Sequence, residues 1–130
     1  MTKKYLLNIL FIFTLAWVSQ AETYVVDKSH SAVIFGIQHM GLGNTYGRFN
    51  DFSGTITFDD AKLKSSKIEL EIKTASVDSY NKKRDDHLRN SDFFDAGTYS
   101  TMSFSSTSIE KVEGKKDAYK VSGELTLLSK

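Results

Sequence analysis

Apolar and polar residues alternate along most of this 130-residue chain. Between residues 67 and 74, isoleucine and leucine take every second position, with glutamate and lysine between them. The same period of two recurs at residues 32–39, 98–108 and 119–127. Successive side chains of a β-strand point to opposite faces of the sheet, so this period predicts strands with one apolar face. The sequence therefore predicts an all-β chain of about six antiparallel strands joined by turns.

Two of the strand-like segments carry further information. Residues 32–39 have no strongly polar face in either phase, which predicts a strand that is covered on both sides. Residues 45–59 change phase at Asn50-Asp51, so that Phe49 lies in one phase and Phe52 in the other. A bend at that point would return both phenylalanines to one face and would curl the sheet. An antiparallel sheet of this kind is expected to close as a barrel or to form a sandwich.

Residues 80–95 interrupt the alternation. Positions 80–89 carry six charged residues and a histidine, and two adjacent phenylalanines follow shortly after. Asn81 is a suitable N-cap, and the acidic pair Asp85-Asp86 suits the beginning of a helix. We therefore predict a short helical insert near residues 80–95 that crosses over the sheet or covers it as a lid.

The first 21 residues have the pattern of a cleaved secretory signal peptide. Two lysines precede an apolar run at residues 6–18, and small residues stand at Ser19 and Ala21. The run has about 13 residues, which is short of the roughly 20 that span a bilayer, so a membrane anchor is the weaker interpretation. The sequence predicts a signal peptide at residues 1–21, a single domain at residues 22–130, and export of that domain.

Composition excludes several classes of function. Without the signal peptide, which holds two lysines and no acid, the chain has 15 basic and 16 acidic side chains and a net charge of −1. This balance argues against nucleic-acid binding and against a strong electrostatic hold on anionic membranes, although a transient membrane encounter stays open. Cysteine is absent, so the exported domain has to be held together by its core alone.

The polar residues do not form a recognisable catalytic or metal-binding motif. The histidines, His30, His39 and His87, have no ligand spacing and no cysteine partner, which predicts neither a metal ion nor another cofactor. Residues 84–87 place an acid beside an imidazole, but neighbouring residues of a short helix point in different directions. We therefore predict that the chain is not an enzyme, and a hydrolase or metal-dependent enzyme is the less favoured alternative.

The aromatic residues allow two interpretations. A barrel of about eight strands either fills its interior with side chains or holds one ligand, and periodicity alone does not separate these cases. The outer charges at residues 84–89 are expected to face solvent and to form local ion pairs. Arg84 is the exception, because an arginine in a lid over an apolar barrel suits a phosphate or carbonyl head group.

Several motifs resemble those of the YceI-like family of secreted lipid-binding proteins. The central motif is Arg84-Asp-Asp-His87-Leu88 followed by Ser91-Asp-Phe93-Phe94-Asp95. Upstream stand Asp27-Lys-Ser-His30-Ser31, Val33-x-Phe35-x-Ile37-x-His39 and Gly47-Arg-Phe49-x-x-Phe52-x-Gly54. Downstream stand Tyr99-x-Thr101-Met-x-Phe104-x-Ser106-Thr107 and Gly123-Glu-Leu125-Thr126. The agreement runs in order from Tyr24 to Thr126.

The resemblance implies a lipocalin-like antiparallel β-barrel in the periplasm. Its lumen would hold a long apolar ligand such as a polyisoprenoid, an isoprenoid quinone or a fatty-acyl amide, and no reaction is implied. The polar residues that the resemblance implies for the site are His39, Arg84, Asp85 and His87. The apolar residues that it implies for the wall are Phe35, Ile37, Phe49, Phe52, Phe94 and Phe104.

The resemblance also implies that the barrel is incomplete. The family continues with further strands, and Leu128 stands where it usually has a glycine, so we expect the C-terminal strands to be missing from this chain. A homodimer that shares strands is one way to cover the free edges. The alternative function is a β-sandwich interaction or stress protein with a solid aromatic core and no ligand.

Overall fold

The computed structural model describes residues 21–130, so the predicted signal peptide lies almost wholly outside the described residues. These residues form eight β-strands and one α-helix. The strands are β1 (Glu22–Val25), β2 (Val33–His39), β3 (Gly43–Phe49), β4 (Phe52–Phe58), β5 (Lys67–Lys73), β6 (Val77–Asp78), β7 (Thr101–Lys111) and β8 (Tyr119–Thr126). The helix, α1, is Lys82–Leu88, and two 3-10 turns lie at Leu63–Ser65 and Thr74–Ser76.

The strands form two antiparallel sheets. The larger sheet has the order β1-β4-β5-β7-β8, and the smaller has the order β2-β3-β6. Every strand pairing is antiparallel. The two sheets are not joined into a closed barrel within residues 21–130. The prediction of an all-β antiparallel fold with a short helical insert and an incomplete barrel is therefore confirmed.

A sharp corner joins the two sheets where the sequence predicts a bend. Strand β3 ends at Phe49 in the smaller sheet, and β4 begins at Phe52 in the larger one. Between them, the Asn50 amide donates to the Ser76 carbonyl at 3.0 Å, and the Asp51 carbonyl accepts from the Lys73 amide at 2.8 Å. Both phenylalanines are buried in one core, as the predicted bend requires. The segment is two strands rather than one bent strand, which accounts for part of the higher strand count.

The register of the strands assembles the core. Phe52 pairs with Ile72, which in turn pairs with Met102 on the next strand. In the smaller sheet Phe49 pairs with Val77, which is completely buried. Burial of one such side chain contributes about 1.5–3 kcal/mol, and these five residues form the buried cluster of the core. Phe35, Leu88 and Phe94 pack against them and connect the core to the region around α1.

Strand β2 is not covered on both sides, and the prediction that it would be was wrong. It pairs only with β3 and forms an edge of the smaller sheet. Ile34 and Ile37 are 68% and 59% exposed. Apolar side chains make the burial of a strand favourable. Whether the strand is buried depends on which segments lie beside it.

Helix α1 is short and its beginning is fixed by a cap. The Asn81 side chain accepts a hydrogen bond from the Arg84 amide at 3.0 Å, as predicted for this residue. Within residues 21–130, no helix combines the length and the apolar character that crossing a membrane would need.

Candidate functional site

A cleft of about 540 Å³ lies beside α1, and its size falls in the usual range for small-molecule sites. Strands β2 and β3, the segment that leads into α1, α1 itself, the turn after it and β7 all contribute side chains to the wall. The apolar side chains are Phe35, Ile37, Phe49, Leu88, Phe93, Phe94 and Met102. The polar ones are His39, Thr45, Ser79, Arg84 and His87.

An aromatic row forms the inner wall of the cleft. The ring centres of Phe35 and Phe49 are 5.6 Å apart, and those of Phe49 and Phe94 are 5.5 Å apart. Each such contact adds about 0.5–1.5 kcal/mol to the simple burial of the rings. Phe35 of β2 fits there because its pairing partner on β3 is Gly47, where a Cβ atom would stand 2.2 Å from the ring.

Arg89 anchors α1 to the segment beneath it. Its Nε donates to the Ala75 carbonyl and its Nη2 to the Val77 carbonyl, both at 2.8 Å. Its Nη1 also contacts Asp86 at 3.1 Å. Hydrogen bonds from a charged donor contribute more than neutral ones, so these contacts hold α1 as a wall of the cleft.

Arg84, Ser79 and Asp85 form a hydrogen-bonded cluster at the beginning of α1. Arg84 donates from Nε to the Ser79 hydroxyl at 2.7 Å and from Nη2 to the Ser79 carbonyl at 2.6 Å. Asp85 Oδ1 accepts from the Ser79 amide at 2.8 Å and from its hydroxyl at 2.5 Å. Ser79 and Asp85 are 2% and 7% exposed, so both are withdrawn from solvent.

The two histidines of the cleft have different surroundings. His87 Nε2 lies 3.1 Å from Asp92 Oδ2, and the imidazole stands edge-on to Phe93 with ring centres 4.9 Å apart. His39 is the last residue of β2. Both are exposed, so they lie at the rim rather than in the depth of the cleft. His30 pairs with Asp27 in the turn after β1 and does not line the cleft.

Hydrogen bonds near α1 lower the pKa of two carboxyl groups. The Tyr80 backbone N–H, at 2.9 Å, is the main cause of the lowered pKa of Asp78, and the Asn50 side chain adds to it. The Lys82 ammonium, at 2.7 Å, is the main cause of the lowered pKa of Asp86. Within residues 21–130, no group of three or more metal-ligating side chains lies close together.

The structure brings seven of the ten predicted site residues together. Those that line the cleft are Phe35, Ile37, His39, Phe49, Arg84, His87 and Phe94. Phe52 lies in the core, and Asp85 is buried behind Ser79. Phe104 lies on β7, where its ring covers Gly123 of the neighbouring strand. These three residues do not line the cleft.

Five residues line the cleft that the sequence did not single out for the site. Thr45 shares the phase of Phe49 on β3, and Phe93 adjoins Phe94, so position alone could have indicated both. Leu88 and Met102 read as ordinary core residues. Ser79 has no sequence signal, because its place in the site follows from its contacts with Arg84 and Asp85.

Comparison with known proteins supplies a family context. Residues 24–130 match the family described as the YceI-like domain. A UPF0312 protein of Vibrio parahaemolyticus is 42% identical over 112 residues, which are 84% of this chain and 58% of that protein. Protein YceI of Escherichia coli O157:H7 is 40% identical over 129 residues, which are 96% of this chain and 66% of that protein. The chain thus spans less than two thirds of the length of these relatives.

Two solved structures are similar as well. The crystal structure of BcnA from Burkholderia cenocepacia has a TM-score of 0.70 and is 34% identical, with 78% of this chain and 62% of that chain covered. The YceI protein of Campylobacter jejuni, in crystals with large solvent channels, has a TM-score of 0.59 and is 39% identical. That match covers 82% of this chain and 61% of the other.

Proposed function

This chain belongs to the YceI-like family, and from that premise we propose that it is a binding protein, not an enzyme, for a long apolar ligand. The ligand classes are a polyisoprenoid, an isoprenoid quinone or a fatty-acyl amide. The observation that carries the proposal is the cleft beside α1, whose wall is mostly aromatic and aliphatic and whose polar groups include a single arginine.

Burial of the ligand chain would provide most of the affinity. Each CH₂ group removed from water contributes about 0.8 kcal/mol, so a segment of about ten carbons contributes about 8 kcal/mol before the cost of association. The polar side chains, Arg84 foremost, would orient the head group. The apolar chain would lie along Phe35, Phe49 and Phe94.

We place this activity in the periplasm, on the basis of the signal-peptide pattern of the first 21 residues. The protein would be a carrier that shields a lipid from water and meets the membrane only briefly to load or release it. The nearly balanced charge of residues 22–130 agrees with a brief encounter rather than a lasting electrostatic attachment.

Native mass spectrometry of the purified protein, followed by extraction of the released lipid, tests the proposal. We expect one isoprenoid or acyl chain per protein, and the same spectrum reports whether the carrier is a monomer or a dimer. A folded protein that never retains or binds such a lipid would instead support a β-sandwich interaction protein without a ligand.

A tryptophan at the cleft provides a matched test. Thr45 lines the cleft, so Thr45→Trp would fill the space and weaken lipid binding by about tenfold or more. Thr107 is exposed on β7 and does not line the cleft, so Thr107→Trp should retain the lipid. Equal retention by the two variants, measured by titration with the extracted lipid, would place the ligand elsewhere.

A further inference from the structure

The polar end of the cleft contains a guanidinium and a buried carboxylate on either side of one hydroxyl. Arginine Nε can only donate a hydrogen bond, so the Ser79 hydroxyl accepts from Arg84 and gives its own proton to Asp85. These two hydrogen bonds bring the opposite charges within the roughly 4–6 Å over which they interact strongly. Arg84 lines the cleft, whereas Asp85 does not.

Most of the other charged side chains of α1 and the following turn pair with one another. Lys82 and Arg89 both pair with Asp86, at 2.7 and 3.1 Å. His87 faces Asp92. Arg84 forms no direct ion pair with any carboxylate of residues 21–130, and Asp85 is the carboxylate that the Ser79 hydroxyl links to it.

Only some of the N–H donors of Arg84 make hydrogen bonds within the protein. Nε and Nη2 are bonded to Ser79, while Nη1 has no hydrogen-bond partner in the described part of the chain. The guanidinium can therefore still offer N–H groups to a ligand. A carbonyl oxygen needs only the donors, whereas a carboxylate or phosphate loses its hydration and also needs a counter-charge.

We propose that Asp85 is a specificity-determining residue that never touches the ligand. By offsetting the charge of Arg84 through Ser79, it makes the head-group end of the cleft nearly neutral. The cleft thereby favours an uncharged acceptor, such as an amide, ketone or quinone carbonyl, over an anionic head group. This inference rests on the proposed function, because it concerns the ligand of the same cleft.

Two ligands that have the same alkyl chain but differ in charge test the proposal. Dodecanamide and dodecanoate are titrated calorimetrically at about pH 8, where free imidazole is neutral. In the wild type, dodecanamide should bind about tenfold more tightly than dodecanoate. In Asp85→Asn, which keeps the shape and the acceptor oxygen, the affinity ratio should move about tenfold toward dodecanoate.

Asp86→Asn is the matched control. It removes the same charge one position further along α1, from an exposed residue that pairs with Lys82 and Arg89. The ratio of the two affinities should change by less than about twofold, because exposed ion pairs contribute little. A loss of fit in the cleft would weaken both ligands alike, so the ratio separates control of charge from a purely structural role.

The wild type gives a second readout that does not depend on any variant folding. Raising NaCl from about 0.05 to 0.5 M should change both affinities by the same factor, because a neutral site offers nothing for salt to screen. A selective loss of dodecanoate affinity would reveal an uncompensated positive charge and overturn the proposal.

The outcomes also separate this proposal from the proposed function. If both ligands bind and the ratio in Asp85→Asn stays unchanged, the role of Asp85 is refuted and the carrier function stands. If neither ligand binds to the folded wild type, the apolar cleft is not a lipid site and both proposals fail.

Discussion

At the scale of single residues, Ser79 connects strand β6 to helix α1 with all of its polar groups. Its amide and hydroxyl donate to Asp85, while its hydroxyl and carbonyl accept from Arg84. A residue with a longer side chain would not fit, because Ser79 is almost completely buried. The position of Arg84 at the cleft therefore depends on its contacts with this buried serine.

Asp78, one residue earlier, makes the stability of this region depend on pH. Its pKa is lowered chiefly by the Tyr80 N–H, so its stabilising contribution is present above the ordinary carboxyl pKa of about 4. That contribution disappears as the pH falls through the lowered pKa. Asp78→Asn should therefore unfold at a lower urea concentration than the wild type at pH 7, with the difference shrinking in acid.

Asp117→Asn is the control for this pH series. Its side chain makes no hydrogen bond or ion pair within the described residues, so urea melts of this variant should follow the wild type at each pH. A constant difference between Asp78→Asn and the wild type from pH 7 to below pH 4 would show that the carboxylate contacts do not stabilise the fold.

At the scale of elements, strand β3 joins the cleft to the rest of the molecule. It pairs with β2 on one side and with β6 on the other. It also supplies Thr45 and Phe49 to the cleft and ends at the corner that leads into the larger sheet. A change in β3 should therefore alter both stability and binding.

Gly47→Ala tests this role of β3. The new Cβ atom would meet the Phe35 ring at 2.2 Å and displace it from the aromatic row. We expect a loss of about 1–3 kcal/mol in the free energy of unfolding and weaker binding of the lipid. Gly43→Ala, in the same strand, meets nothing within 4 Å and should be neutral or slightly stabilising in the same denaturant titration. Equal stability of the two variants would contradict the proposed packing.

At the scale of the whole molecule, the sequence predicted the local structure of each segment better than it predicted which segments lie side by side. The period of two located the long strands, and the phase change at Asn50-Asp51 located the corner, because both patterns depend on side chains close in sequence. The exposure of β2 could not be read in this way. It depends on which strands lie beside β2, and period and composition are the same for an edge strand and a central strand.

For the site, too, the sequence indicated residues that lie close together along the chain but not those whose position depends on tertiary contacts. The motifs indicated Arg84, His87 and Phe94 because these residues stand within one short segment. Phe52 and Phe104 have the same chemistry as the cleft residues but lie in the core and against Gly123. Asp85 is buried because it accepts a hydrogen bond from the Ser79 backbone amide. The identity of the residues does not predict this backbone contact.

The corner between the sheets also has a consequence for the order in which the molecule assembles. Thr57 pairs with Lys67, which lies close to it in sequence. Phe49 pairs with Val77, and β4 and β5 lie between these two residues in the sequence. Strand pairings between segments that are distant in sequence form late in folding. The pairing of β3 with β6 is also weak, because it comprises only two residue pairs. We expect the cleft to form last and open first. Native-state hydrogen exchange should then show the Asn50 amide opening at a lower free energy than the amides of β5, and equal values would mean that both sheets unfold as one unit.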